Sequence, residues 1–453
     1  MNAILLIDFG STYTKVTAVD AQGRRILGHA QSYTTVEEDV SLGLDQALEI
    51  LARTAGPLDF VQRYACSSAA GGLRMIASGL VPSLTAEAAK RAALGAGAKV
   101  IRTYAYDLTP ADIREILSLR PDIFLLCGGT DGGNREYALN NARALAPCAP
   151  SFPIVLACNR SVSDECADIL KGAGHEVLSC ENVMPTFNRL NVEPCQKVIR
   201  EVFLRRIIFA KGLSKASQLV SGILMPTPAA VMTALELLST ELGELMAVDL
   251  GGATTDIYSI SKGLPTNQGT LMRGLPEPFA KRTVEGDIGM RYSVRGILEA
   301  ASTQEAAIVS GQSEEAVLQW VDRIQDQPGI LAQSPEEQQI DCALAALAIE
   351  TGLIRHAGTL EQIYTPMGLV YQQTGKDLTA ITRLILTGGA LVHMGKAEEI
   401  AHRAMSSTRR PDSLMPRDAQ VLVDRRYILS AMGLLSQSDP DLAKELMIKE
   451  FLI

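Results

Sequence analysis

Aromatic side chains are scarce: Phe, Trp and Tyr make up 5% of the 453 residues, with a single Trp at position 320. A surface that stacks successive bases of a nucleic acid is therefore not expected. Positive charge is also short, since 42 Lys and Arg stand against 51 Asp and Glu for a net charge of -9. That balance argues against nucleic acid or an anionic membrane as the main partner, because both are bound through a basic face. The eight cysteines form no Cys-x-x-Cys pair and the five histidines show no ligand spacing, so neither zinc nor an iron–sulfur cluster is expected. Most cysteines sit in apolar runs such as Leu125-Leu126-Cys127 and read as buried reduced thiols. No apolar run approaches the ~20 residues that span a bilayer. Ile4-Leu5-Leu6-Ile7-Asp8 follows no basic region or cleavage site, so no signal peptide is expected and cytoplasmic is the default.

What is present is a chain 47% hydrophobic and 21% charged, the composition of a globular protein with sizeable cores. At roughly 100–200 residues per domain it holds two or three. Leu5 to Val19 is an apolar run, then Asp8, Gly10 and the hydroxyl-rich Ser11-Thr12-Tyr13-Thr14-Lys15, then a second β-rich run. That is a hairpin whose tight turn can wrap phosphate oxygens, with Asp8 near a metal ion; any hairpin with Asp and Gly shares the pattern. Leu245 to Ile260 repeats it, with Asp249 over Asp8, Gly251 over Gly10, Gly252 over Ser11 and Thr255 over Thr14. Two such hairpins could hold one triphosphate, with backbone N–H groups of Gly10–Thr14 and Gly251-Gly252-Ala253-Thr254-Thr255 on the phosphates. Asp8 and Asp249 would orient Mg²⁺ through its water shell. Lys15 would neutralise phosphate charge, and Asp256 is a candidate for orienting water. A third stretch, Leu384 to Leu391, ends a buried strand in Gly388-Gly389-Ala390, where a flat ring or ribose meets no Cβ.

Between these, three strands, a helix over 41–55 and a fourth strand over 60–66 begin a ribonuclease-H-like half-domain. From about residue 86 to 181 strands alternate with helices, which implies parallel crossovers and a small doubly wound insert. Thr109-Pro110-Ala111-Asp112 starts one of its helices with an N-cap. Ser163 is expected to cap another. Gly128-Gly129-Thr130-Asp131-Gly132-Gly133-Asn134 closes a strand and opens a helix, where α/β sheets bind ligands; a permissive turn or a second ligand or partner site both remain open. Helices are also expected over 192–210, 231–238 and 341–363, and one opening at Glu285–Arg291. The expected domains are 1–66 with 215–244, an insert over 67–214, and 245–453.

The ordered set Asp8–Lys15, Pro226–Ala230, Asp249–Asp256, Gly388–Ala390 and Tyr427–Gln437 resembles the phosphate, connecting and adenosine motifs of the actin-like ATPases. The resemblance implies an α/β fold of two ribonuclease-H-like domains facing a nucleotide cleft, with the insert in the first. More narrowly, Gly128–Asn134, Pro226-Thr227-Pro228-Ala229-Ala230 and Arg282–Arg291 are similar to the MutL/GlmL accessory proteins of glutamate mutase, distinct from the mismatch-repair protein of that name. That likeness implies ATP/ADP and Mg²⁺ as cofactors, Gly286 among the nucleotide-binding residues, and subunits of a cobalamin-dependent glutamate (methylaspartate) mutase as partners. The implied role is an ATP-driven chaperone or reactivating factor that frees damaged cobalamin. The sequence leaves the oligomeric state open.

One position departs from the superfamily. Where heat-shock chaperones carry a Glu before Pro-Thr and actin a Gln in a comparable role, this chain has Met225. A thioether cannot orient water, and losing a positioned base forfeits ~10²–10⁴ in rate. The expectation is nucleotide binding with weak ATPase activity at most, suited to a conformational switch. A small-molecule kinase on the same fold and an actin-like filament protein are the alternatives. The first needs an acceptor cleft with a base aimed at the γ-phosphate; the second predicts concentration-dependent polymers.

Overall fold

The structure is a computed structural model that describes residues 2–10, 12–34, 40–68, 73–149, 151–210, 224–366 and 368–452. The chain divides into two compact units: Met1–Thr233 with Gly274–Pro276 and Ser430–Leu446, and Ala234–Arg273 with Glu277–Leu429 and Met447–Ile453.

In the first unit, β1 (Asn2–Phe9), β2 (Tyr13–Asp20), β3 (Arg25–Tyr33) and β4 (Asp59–Ser67) open a five-stranded sheet that β10 (Leu224–Pro226) completes, in the order β10-β4-β1-β2-β3. β2 is antiparallel to β1 and β3, while β4 and β10 run parallel to β1. The apolar run Leu5, Ile7 and Phe9 packs with Leu44, Ala47 and Leu51 of the helix Val40–Ala55, as its spacing predicts. Between β4 and β10 the chain builds a second sheet from β5 (Arg74–Gly79), β6 (Lys99–Ala105), β7 (Ile123–Gly128), β8 (Ile154–Cys158) and β9 (Val177–Ser179). All its pairs are parallel and its order is β6-β5-β7-β8-β9, the doubly wound arrangement. Ile123, Leu125 and Cys127 enter one core while Phe124 and Leu126 enter another, which explains why β7 is apolar without alternation.

The second unit repeats the first sheet. β11 (Leu245–Leu250), β12 (Thr255–Ile260), β14 (Ala280–Glu285), β17 (Arg383–Thr387) and β18 (Gln420–Val423) lie in the order β14-β12-β11-β17-β18. Numbered within itself, each sheet reads 3-2-1-4-5 with the same strand directions. Two ribonuclease-H-like sheets and an inserted doubly wound sheet are thus the fold class expected from the sequence. The helix Pro335–His356 forms the centre of the second core, with Leu344, Leu347 and Leu353 against Val248, Ile257 and Trp320.

Three local expectations change. No helix opens at Glu285–Arg291: β14 ends at Glu285 and the next helix is Val294–Ala301. The helix expected over 341–363 begins earlier, where Ser334 and Glu337 form a capping box on either side of Pro335, and ends at His356. Thr359–Thr365 is instead β15, paired antiparallel with β16 (Gly368–Thr374) in a small sheet with β13 (Leu271–Arg273). Ser163 is the first helical residue rather than the cap, which falls at Val162 without a side-chain bond. The Thr109–Asp112 capping box forms as read. All eight cysteines are free thiols and six are buried. Among the described residues, no helix is long and apolar enough to cross a membrane.

Candidate functional site

The two hairpins close in the same way. Gly10 donates its N–H to the Tyr13 carbonyl at 3.1 Å, and Gly251 donates to the Thr254 carbonyl at 2.9 Å. In both, four residues separate the last strand pair, Phe9 with Thr14 and Leu250 with Thr255. A Cβ at Gly10 would lie 2.5 Å from the Tyr13 oxygen, so the turn can pinch only without a side chain there. Of the expected contact residues, Gly10, Thr12, Tyr13 and Lys15 are half-buried, as are Gly251 to Thr254; Ser11 lies outside the described residues. Thr14 and Thr255 are fully buried. Their hydroxyls are committed to the protein, Thr14 to the Thr34 hydroxyl at 3.1 Å and Thr255 to the Ile288 carbonyl at 3.0 Å.

Register fixes the neighbours of each acid. Lys15, Asp8, Cys66 and Met225 stand side by side across β2, β1, β4 and β10. Asp8 is 5% exposed and accepts hydrogen bonds from Thr227 Oγ1 at 2.6 Å and Ser430 Oγ at 3.0 Å. Burial, and then the Asp8 charge, push the Cys66 thiol well up, so it stays neutral. In the second unit the row is Asp256, Asp249 and Thr387. Two carboxylates directly opposite on one face repel each other. Arg282 answers that charge, donating from Nε at 2.8 Å and Nη2 at 2.6 Å to Asp256 Oδ1. Burial opposes the Arg282 charge, yet Asp256 beside it holds the guanidinium above its ordinary value.

The segment Glu285–Arg291 backs the second turn. Met290 N–H reaches the Gly251 carbonyl at 3.0 Å, and Arg291 N–H reaches that of Gly252 at 2.8 Å. Arg291 is anchored on Asp341 at 3.2 Å, and Asp341 also accepts from Trp320 Nε1 at 2.8 Å. Burial raises the Asp341 carboxyl above its usual range despite both partners. Gly286, half-buried, begins this loop. Gly388 has φ +101°, and a Cβ there would run into the Leu250 carbonyl, so the chain leaves β17 close against the strand that carries Asp249. Gly389 is exposed and Ala390 half-buried. The next residues, Leu391 and Val392, line a hollow of about 310 Å³ with Lys396, Val423 and Arg425. In the insert, the Gly128–Asn134 turn is tied from within: Asn159 bonds Gly132 N–H and the Gly133 and Asn134 carbonyls, and Asn182 bonds the Gly129 carbonyl and Asp131.

The family described as "MutL protein" matches this chain over residues 4–451. The chain belongs to the MutL family. A MutL relative from Clostridium tetanomorphum is 46% identical over 461 residues, with both chains fully covered. Solved structures are similar only at a distance. A diol dehydratase-reactivating factor in nucleotide-free form is 10% identical, with 96% of this chain and 99% of that one covered at a TM-score of 0.39. An activator of 2-hydroxyisocaproyl-CoA dehydratase from Clostridium difficile with bound ADPNP is also 10% identical, with 100% and 99% covered at 0.33. The fold of this MutL family member therefore rests on its own sheet orders. Sequence reading missed Thr227 and Ser430 as partners of Asp8, although both lie in quoted motifs, because no pattern along the chain marks which hydroxyl meets which acid. Arg282 stood in the motif 282–291 without a role.

Proposed function

We propose that this chain is an ATP-binding accessory protein, a slow Mg-ATP-dependent conformational switch that serves a cobalamin-dependent glutamate (methylaspartate) mutase as chaperone or reactivating factor. The observation that carries the nucleotide reading is the repeated turn. The same hydrogen bond closes Gly10–Tyr13 and Gly251–Thr254, each donated by the Gly of an Asp-x-Gly at the end of a central strand. The residues present fit the ligand: pinched turns free of a Cβ suit phosphate oxygens, and two carboxylates suit a hydrated hard cation. When bound, Mg²⁺ would neutralise phosphate charge. In this reading Asp8 and Asp249 accept hydrogen bonds from its waters, the turn N–H groups and Lys15 bind phosphate, and Gly388–Ala390 line the adenosine. Membership of the MutL family supports the accessory role.

Met225 sets the rate. It is half-buried beside Cys66, two strands from Asp8, and supplies no group that could take a proton from water. Hydrolysis is therefore slow unless a partner contributes. The test is calorimetric titration of the full chain with Mg-ATP, followed by phosphate release with and without mutase subunits. Micromolar-range binding that Asp8→Ala removes is the expected result. Unchanged affinity in Asp8→Ala would sink the site, and phosphate release at background in both conditions would sink the chaperone role.

A further inference from the structure

The nucleotide reading leaves two hydroxyl groups unused. Thr227 is the first residue of the helix Thr227–Leu242, and Ser430 is the third of the helix Ile428–Leu435. Both belong to the same unit as Asp8, and each donates to a different oxygen of its carboxylate, Thr227 to Oδ1 and Ser430 to Oδ2. Deep in a helix a Thr returns its hydroxyl to a carbonyl of the preceding turn, as Thr233 does to Ala229 at 3.0 Å, but the first and third positions have no such turn behind them. These two reach another element instead. Ser430 is 6% exposed and Asp8 5%, so water is a poor substitute for either bond. A carboxylate offers about four lone-pair sites. One hydroxyl on each oxygen fixes both side-chain torsions, and with the Cys66 thiol also on the carboxylate part of that capacity remains for another donor.

We propose that Thr227 and Ser430 are positioning residues that lock Asp8 in the one orientation suited to the water shell of Mg²⁺. The inference rests on the ATP-binding reading and deepens it. Mg²⁺ demands near-ideal octahedral geometry, whereas Ca²⁺ accepts irregular ligands. A carboxylate free to turn should therefore lose Mg²⁺ more than Ca²⁺.

The experiment titrates the full chain with ATP by calorimetry at stepped Mg²⁺, at stepped Ca²⁺, and in EDTA. Thr227→Val and Ser430→Ala are each expected to raise the half-saturating Mg²⁺ concentration about ten-fold or more, the loss of one hydrogen bond to a charged group. The shift for Ca²⁺ should be smaller, the affinity in EDTA should move little, and Thr227→Ser, which keeps the hydroxyl, should restore the Mg²⁺ response. Thermal melting of each ligand-free variant accompanies the titrations, and Ser430→Ala carries the test if Thr227→Val melts early. Unchanged Mg²⁺ dependence in both variants overturns the proposal. So does an equal loss with Mg²⁺, Ca²⁺ and EDTA, which would make the hydroxyls merely structural. A wild-type chain that binds no nucleotide at any Mg²⁺ concentration overturns the parent reading instead, so the two failures are distinct.

Discussion

The two turns share a backbone and differ in how their acids are held. At the first, Asp8 is nearly buried, faces Lys15 across the hairpin and is gripped by two neutral hydroxyls. At the second, Asp249 is half-buried and faces another acid, Asp256, whose charge is answered by Arg282 from the next strand. A fold used twice thus met one electrostatic problem, a carboxylate beside a pinched turn, in two ways. The first turn sets an acid opposite a base within one strand pair. The second recruits a third strand, β14, and the loop after it, so its geometry depends on residues further along the chain.

The sharpest way to break the comparison is at Asp8. Asp8→Ala removes the acid and strands the hydroxyls of buried Ser430 and half-buried Thr227, so Mg-ATP binding should fall below detection by calorimetry, a larger loss than Asp249→Ala gives. Next is the ion pair. Arg282→Met leaves half-buried Asp256 uncompensated opposite Asp249, which should cost about 3 kcal/mol in urea unfolding, the low end for breaking a buried pair. Adding Asp256→Leu should recover most of that; no recovery would mean that Arg282 does more than balance charge. Third, Met225→Glu should raise phosphate release by about 10²-fold, the low end of what a positioned base supplies. A rate left at the wild-type level would show that something other than Met225 limits hydrolysis.

The smallest effect separates the units by pH. His356, in the second unit, is fully buried, with Ser259 and Thr283 on its two ring nitrogens at 2.8 Å each. Burial first, then the charges of Lys281 and Lys376, hold its pKa well below 6.5. The unfolded chain takes up a proton as pH falls through 6.5 and the native one does not. Stability is therefore complete above that pH and is lost below it, by up to about 1.4 kcal/mol per pH unit. Melting temperature measured from pH 7.5 to 5.5 should fall, and His356→Asn should flatten the slope.

Much of this was legible along the chain. Leu5–Phe9 and Leu245–Leu250 read as buried strands because every position is apolar up to the Asp, and burial demands that in any context. The Asp-x-Gly turns were legible because a pinched turn without a Cβ constrains residue type locally. Legibility failed where a segment's state depends on a distant partner. Thr359–Thr365 could extend a helix by composition, and only pairing with Gly368–Thr374 makes it a strand. Glu285–Arg291 has helix-compatible residues, yet it is held as a loop by the carbonyls of Gly251 and Gly252.

The sequence by itself determined the two hairpins, the doubly wound insert and the positions of Asp8, Asp249 and Met225, because hydrophobic period and turn chemistry act over a few residues. Only the tertiary structure decided that Thr227 and Ser430 meet on Asp8, 219 and 422 positions away, and that Arg282 answers Asp256. Hydrogen bonds and ion pairs reach about 3 Å in space and carry no trace of separation along the chain.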